Sequence, residues 1–147
     1  VRGDAFTDEE KERNFDYYEA LTVRDSSLSA CSQAVVAAEV GHLELAYDYL
    51  AEAALMDLED LEHNTRDGLH IASLAGTWIG AVAGFGGMRD HGGTLSFMPR
   101  LPEAISRLAF RIAFRGRFHP KSEIPFGQPV RQRPCQRLEF ERQGVLA

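Results

Sequence analysis

Two polar segments of this 147-residue chain contain the residue types that hold an anion. The first runs Val23-Arg24-Asp25-Ser26-Ser27-Leu28-Ser29, and the second runs Asn64-Thr65-Arg66-Asp67-Gly68-Leu69-His70-Ile71-Ala72-Ser73. Each leads straight into an apolar, helix-forming stretch. The first-turn N–H groups of a helix lack intrahelical partners and carry the positive end of the helix dipole. Hydroxyls and an imidazole gathered there add donors, and the combination suits phosphate. If both segments open on one side of a helical scaffold, a single phosphate fits between them.

Plainer roles compete for the same residues. Ser26 and Ser27 also suit a helix N-cap, and Asp25 reads as a cap or loop-organising group rather than a base. His70 alone would suit a hydrogen-bonded core position; beside Gly68 and Ser73 it reads as an anion contact. Arg66 and Asp67 read as an ion pair bracing the second loop. His42 is expected to pack or cap, and His63 to sit past an acidic helix end where a cation suits the dipole. Cys31, His42, His63 and His70 share no recognisable ligand spacing, so no metal is expected. Glu59, Asp60 and Glu62 read as solvent-facing charge, and Trp78 and Phe85 as core. Tyr17 and Tyr18 are aromatics of the kind that stack on sugar rings.

The elements that must position these loops are legible from periodicity. Thr7-Asp8-Glu9-Glu10 forms a candidate capping box ahead of a helix over about 8–19. Leu28 to Val40, with Glu39 its one charge, predicts a helix buried nearly all round, broken by Gly41. Leu43, Ala46, Leu50, Ala54, Leu58 and Leu61 predict an amphipathic helix over 43–61. Ile71 to Met88 is an uncharged run of 18 residues with Gly76, Gly80 and Gly84 on one face. It reads as a helix packed tightly between neighbours, ended by Gly86-Gly87, and not as a membrane span. Alternation in 94–98 and in 108–115, punctuated by Pro99 and Pro102, predicts strands. After Phe118 the pattern fades among Pro120, Pro125, Pro129 and Pro134, and a poorly ordered tail is expected there, with weak edge strands as the alternative.

Charge is unevenly spread. Residues 1–106 hold 7 Lys and Arg against 19 Asp and Glu, whereas residues 107–147 hold 9 against 3. An acidic body does not suit nucleic acid, and the basic end reads as a solvated arginine-rich segment. Two distant cysteines, Cys31 and Cys135, argue against a disulfide framework. With no charged-then-apolar leader at Val1, a cytoplasmic location is the expectation. Buried and amphipathic helices in alternation suit hairpins arranged as a ring, and too few are present to close one. The chain is therefore expected to be a piece of something larger, mainly α with a β segment.

The motifs Asn14-Phe15-Asp16-Tyr17-Tyr18-Glu19, Leu21 through Ser29, Ala38-Glu39-Val40-Gly41-His42 and Asn64 through Trp78 resemble family 65 of the glycoside hydrolases, which includes maltose, trehalose and kojibiose phosphorylases. The likeness covers about residues 6–117. It implies a partial (α/α)6 barrel over 1–90, the start of a C-terminal β-sheet domain over 91–117, and an atypical 118–147. It also implies inverting phosphorolysis of an α-linked glucose disaccharide, with inorganic phosphate as co-substrate, no other cofactor, and a homodimeric parent. Phosphate attacks the anomeric carbon while a glutamic acid protonates the leaving oxygen. Carried over, the phosphate-binding residues are Ser26, Ser27, Gly68 and His70, with Arg24 as a further contact where many phosphorylases place His. The general acid falls upstream of this segment, so none of these residues is catalytic and the chain alone is expected to be inactive. Two other readings remain open: a trehalase-like hydrolase that directs water to the sugar, and a non-catalytic α-hairpin interaction module.

Overall fold

The computed structural model describes residues 5–23, 26–114, 117–125 and 136–137. Four helices come first: α1 (Asp8–Glu19), α2 (Ser29–Val40), α3 (Leu43–Leu55) and α4 (Ile71–Ile79), the last continuing without a break as a π-helical turn over Gly80–Phe85. Four strands follow: β1 (Ser96–Phe97), β2 (Arg107–Phe114), β3 (Arg117–Pro125) and β4 (Gln136–Arg137). They form two antiparallel pairs, β1 with β4 and β2 with β3.

Local chemistry explains the helix limits. The Thr7 hydroxyl accepts from the Glu10 N–H at 3.2 Å and the Glu10 carboxylate accepts from the Thr7 N–H at 2.9 Å, so the predicted capping box starts α1. Gly41 closes α2 in the left-handed conformation at φ +98°, with its N–H bonded to Ala37 O, and turns the chain tightly into α3. The third helix stops at Leu55, not near Leu61 as periodicity suggests. Residues 56–62 form turns instead, with Asp60 at φ +49° and His63 at φ +54°. Two carboxylates in this stretch bond forward to the next loop, and a continued helix would have kept them apart from it.

The core joins the helices to the sheet. Phe15, Ala34, Ala37, Ala38, Ala46, Tyr49 and Phe85 are buried together, and Val82, Leu95, Phe97 and Phe110 form a second cluster, with Leu101 and Leu108 packing against both. Strand β2 alternates as predicted: Phe110 is buried, Leu108, Ile112 and Phe114 are half-buried, and Arg107 and Arg111 are exposed. The fading pattern after Phe118 did not end regular structure, because strand pairing is a backbone property. The β2–β3 ladder shifts register between Phe110 and Ile112, which face Ser122 and His119. The extra residue falls at Pro120-Lys121, where a proline without an N–H is tolerated. Gln136–Arg137 pairs with β1 as β4, as the edge-strand alternative has it, and 126–135 and 138–147 lie outside the described residues.

A half-buried ionic knot fastens the helices. Glu39 of α2 bonds Lys11 of α1 at 2.8 Å and Arg89, just past α4, also at 2.8 Å. Arg100 reaches the Glu39 carbonyl. Burial opposes ionisation of the Glu39 carboxyl, but its bonds to Lys11 and Arg89 together outweigh burial and hold it below its ordinary value of 4.5. At the end of α1, Glu19 accepts a 2.7 Å bond from the hydroxyl of the buried Tyr49 of α3.

Candidate functional site

The glycine face of α4 decides how the two polar loops sit. A Cβ placed on Gly76 would lie 2.5 Å from Cys31 Cβ and Sγ; one on Gly80 would lie 3.7 Å from Ala34 Cβ; one on Gly84 would lie 3.5 Å from Val35 Cα. Contacts thus advance along α2 and α4 together, so the two helices run parallel. Helix α2 begins at Ser29, just before Cys31, and α4 at Ile71, just before Gly76, so the two starts lie toward the same end of the pair. The positive dipole ends of both helices therefore open at the same end of the pair, where the N–H groups of Ser29, Ile71 and Ser73 are already bonded to Ser26 O, Leu69 O and His70 O. Helix α3 packs against both and runs antiparallel to α4: Leu50 abuts Gly80, and the buried Ser73 hydroxyl donates to Ala53 O at 3.0 Å.

Ser26 is exposed and Ser27 half-buried, in the turn that feeds α2. The Ser26 hydroxyl accepts from the Leu28 N–H at 3.4 Å and its carbonyl from the Ser29 N–H at 2.9 Å. Ser26 thus organises the turn, but neither serine is the helix cap: the N-cap position falls to Leu28, which makes no side-chain cap bond. Arg24 and Asp25 lie outside the described residues.

The second loop is built by two acids that sequence reasoning did not single out for this work. Asp60 accepts from the Thr65 N–H at 3.0 Å and the Thr65 hydroxyl at 2.8 Å, holding the 3-10 turn Thr65–Asp67. Those bonds hold its carboxyl below its ordinary value of 3.8, so it is a structural brace and not merely solvent-facing charge. Asp57, with its side chain 6% exposed, accepts from the His70 N–H at 2.9 Å and meets His70 Nδ1 at 2.6 Å. By contrast the Arg66–Asp67 pair is 3.9 Å apart with both side chains mostly exposed, so it braces little. Gly68 sits at φ +135°, where a side chain is strained, and its N–H donates to Thr65 O at 3.1 Å. Its part in the loop is conformational.

The ring geometry has a chemical consequence. A carboxylate on Nδ1 requires that nitrogen to carry a proton, which leaves Nε2 as the nitrogen available to a ligand. No hydrogen bond joins the Ser26–Ser27 turn to the Gly68–His70 loop among the described residues; their relation is set by the parallel helices. His70 takes part in no metal-binding cluster, and no group of three His, Cys, Asp or Glu is placed to hold an ion among the described residues.

Other sequence readings resolve as follows. His42 packs, stacking on Phe15 with centroids 5.4 Å apart, and stands 3.5 Å from Asp16. Phe85 is core, but Trp78 is half exposed and meets Phe110 edge-on at 6.1 Å. Tyr17 and Tyr18 are largely exposed. No helix among the described residues is long and apolar enough to cross a membrane.

Comparison with known proteins agrees with this architecture. The model of the glycosyl hydrolase family 65 central catalytic domain matches residues 1–79, and that of the family 65 C-terminal domain matches residues 88–118. An uncharacterized glycosyl hydrolase of Mycobacterium tuberculosis is 68% identical over 112 residues, 76% of this chain and 14% of the relative. An alpha,alpha-trehalose phosphorylase of Thermoanaerobacter brockii is 46% identical over 117 residues, 80% of this chain and 15% of the relative. A solved structure of a candidate kojibiose phosphorylase from human microbiome superposes with a TM-score of 0.77 at 28% identity, over 83% of this chain and 18% of that one. The chain therefore spans about one-seventh of the length of the curated relatives it matches. Its helices are part of a helical barrel and its strands the start of a sheet domain, and the chain belongs to glycosyl hydrolase family 65.

Proposed function

We propose that the full-length protein containing this segment cleaves an α-linked glucose disaccharide by inverting phosphorolysis, and that this segment supplies its phosphate site. The observation that carries the reading is the parallel packing of α2 and α4, which turns two donor-rich helix starts toward one end. Ser26 and Ser27 offer hydroxyls, Gly68 shapes the loop, and His70 offers Nε2. Arg24 is a further contact. A proton on Nε2 as well as Nδ1 makes the ring an imidazolium, whose charge is shared between Asp57 and the bound anion. In the reaction a phosphate oxygen forms a bond to the anomeric carbon as the glycosidic C–O bond breaks, and an acid residue upstream of this segment protonates the departing oxygen. Attack from the opposite face gives the inverted sugar phosphate. Holding phosphate in line for that attack is an orientation effect. Phosphorylase relatives of several disaccharide specificities support the substrate class.

The test is steady-state phosphorolysis of maltose, trehalose and kojibiose by the full-length protein. The reading expects sugar phosphate as product, and a phosphate KM raised about tenfold or more by Ser27→Ala and by His70→Ala, the scale of a lost charge-assisted hydrogen bond. Release of free glucose without dependence on phosphate would favour hydrolysis instead.

A further inference from the structure

We infer that Asp57 is a positioning residue for the phosphate: it fixes the orientation of His70, with its carboxylate on the Nδ1 side of the ring, so that the Nε2 edge is presented to the anion. The inference rests on the phosphate reading above and names the group that makes it work. Both oxygens of a single buried carboxylate are spent on one residue, Oδ1 on the imidazole at 2.6 Å and Oδ2 on the same residue's backbone N–H at 2.9 Å. Gripping ring and main chain together fixes the side-chain torsions of His70, which would otherwise rotate at the mouth of a loop. The loop does not need Asp57 merely to hold its shape near Thr65, because Asp60 and the Gly68 N–H already close that turn. A buried carboxylate is expensive unless its partner balances it. Here the partner is a ring that keeps its second nitrogen open, whereas Lys or Arg would have closed the pair on itself. The carboxylate also lies thirteen residues before the histidine, past the end of α3, so α3 and the α4 loop are tied at the point where the anion is bound. Orientation of an imidazole by a carboxylate on its far nitrogen is a general way of aiming the near one.

The experiment is steady-state phosphorolysis by the full-length protein, with phosphate and disaccharide varied separately. Asp57→Asn keeps the size but turns an NH2 toward one of the two donors. It is expected to raise the phosphate KM about tenfold, the lower end for loss of an orienting carboxylate, while the disaccharide KM changes less than about twofold. In a His70→Ala background the same substitution adds less than about twofold, since the ring it aims is gone. Multiplying effects of the two substitutions, or an unchanged phosphate KM in Asp57→Asn when His70→Ala raises it, would overturn the inference while leaving the phosphate reading in place. An unchanged phosphate KM in both His70→Ala and Ser27→Ala overturns the reading and the inference with it. Should Asp57→Asn not fold, Asp57→Glu keeps the charge, displaces it by one methylene, and is judged by the same comparisons.

Discussion

Gly76 of α4 and Gly80 and Gly84 of its π-helical continuation look equivalent in sequence, yet the structure ranks them. Replacing each by alanine gains about 1 kcal/mol of helix propensity. At Gly76 the new Cβ would lie 2.5 Å from both Cys31 Cβ and Sγ. A Cβ is fixed to its backbone, so α2 and α4 must part by about 1 Å to restore van der Waals separation. Overpacking of this kind costs about 1–3 kcal/mol. The fixed clash takes the upper part of that range, about 2–3 kcal/mol; net of the propensity gain, Gly76→Ala is expected to destabilise by about 1–2 kcal/mol and melting to fall by roughly 3–6 °C for a chain of this size. At Gly80 the obstacle is Leu50 Cδ1 at 2.8 Å, the end of a side chain that can turn. A rotamer adjustment costs about 0.5–1.5 kcal/mol and leaves Gly80→Ala near neutral. At Gly84 nothing is nearer than 3.5 Å, so Gly84→Ala should be neutral to stabilising by up to about 1 kcal/mol. Equilibrium unfolding in denaturant, monitored by circular dichroism, measures all three. Cys31→Ala does not rescue Gly76→Ala, because the Cβ remains. Equal effects at the three sites, or Gly84→Ala as the most harmful, would refute the parallel register of α2 and α4.

Glu39→Gln removes the charge shared by Lys11 and Arg89 and is expected to cost about 1–3 kcal/mol in denaturant unfolding, since Lys11 keeps Asp8 and Arg89 keeps the Ala83 and Met88 carbonyls. The wild-type knot is also pH-dependent. Because the Glu39 carboxyl is held below 4.5 in the folded chain, its contribution is full above that value and is lost as pH falls through the depressed one. Acid titration of stability should show that loss in the wild type and not in Glu39→Gln. Tyr49→Phe removes the 2.7 Å bond to Glu19 from a buried ring and should cost about 1–2 kcal/mol, measured in the same assay.

Much of the helical scaffold could be read directly. The capping box at Thr7 and the glycine after Val40 are local devices, complete within a few residues, and the structure has both where the sequence indicates. The alternation in β2 is likewise local, since a half-buried strand writes its two faces in consecutive residues. The end of α3 was not legible. Leu58 and Leu61 continue the apolar period, yet both are exposed, because Asp57 and Asp60 have partners thirteen and five residues ahead that no helical pattern reveals. Nor was the β2–β3 pairing, whose backbone bonds need no alternating side chains in β3.

The same division holds for the candidate site. Residue types and their place before helix-forming runs mark the two loops as anion candidates, because an anion is met by donors at helix starts and that chemistry is local; the choice of Ser26, Ser27, Gly68 and His70 within them comes from the family resemblance. Whether two loops more than forty residues apart open toward each other is a question of how α2 and α4 cross. That depends on small residues letting the helices approach in a parallel register, and on Asp57 reaching across to aim a single imidazole. Donors can be counted along a chain, but their direction in space is set only when distant backbones pack.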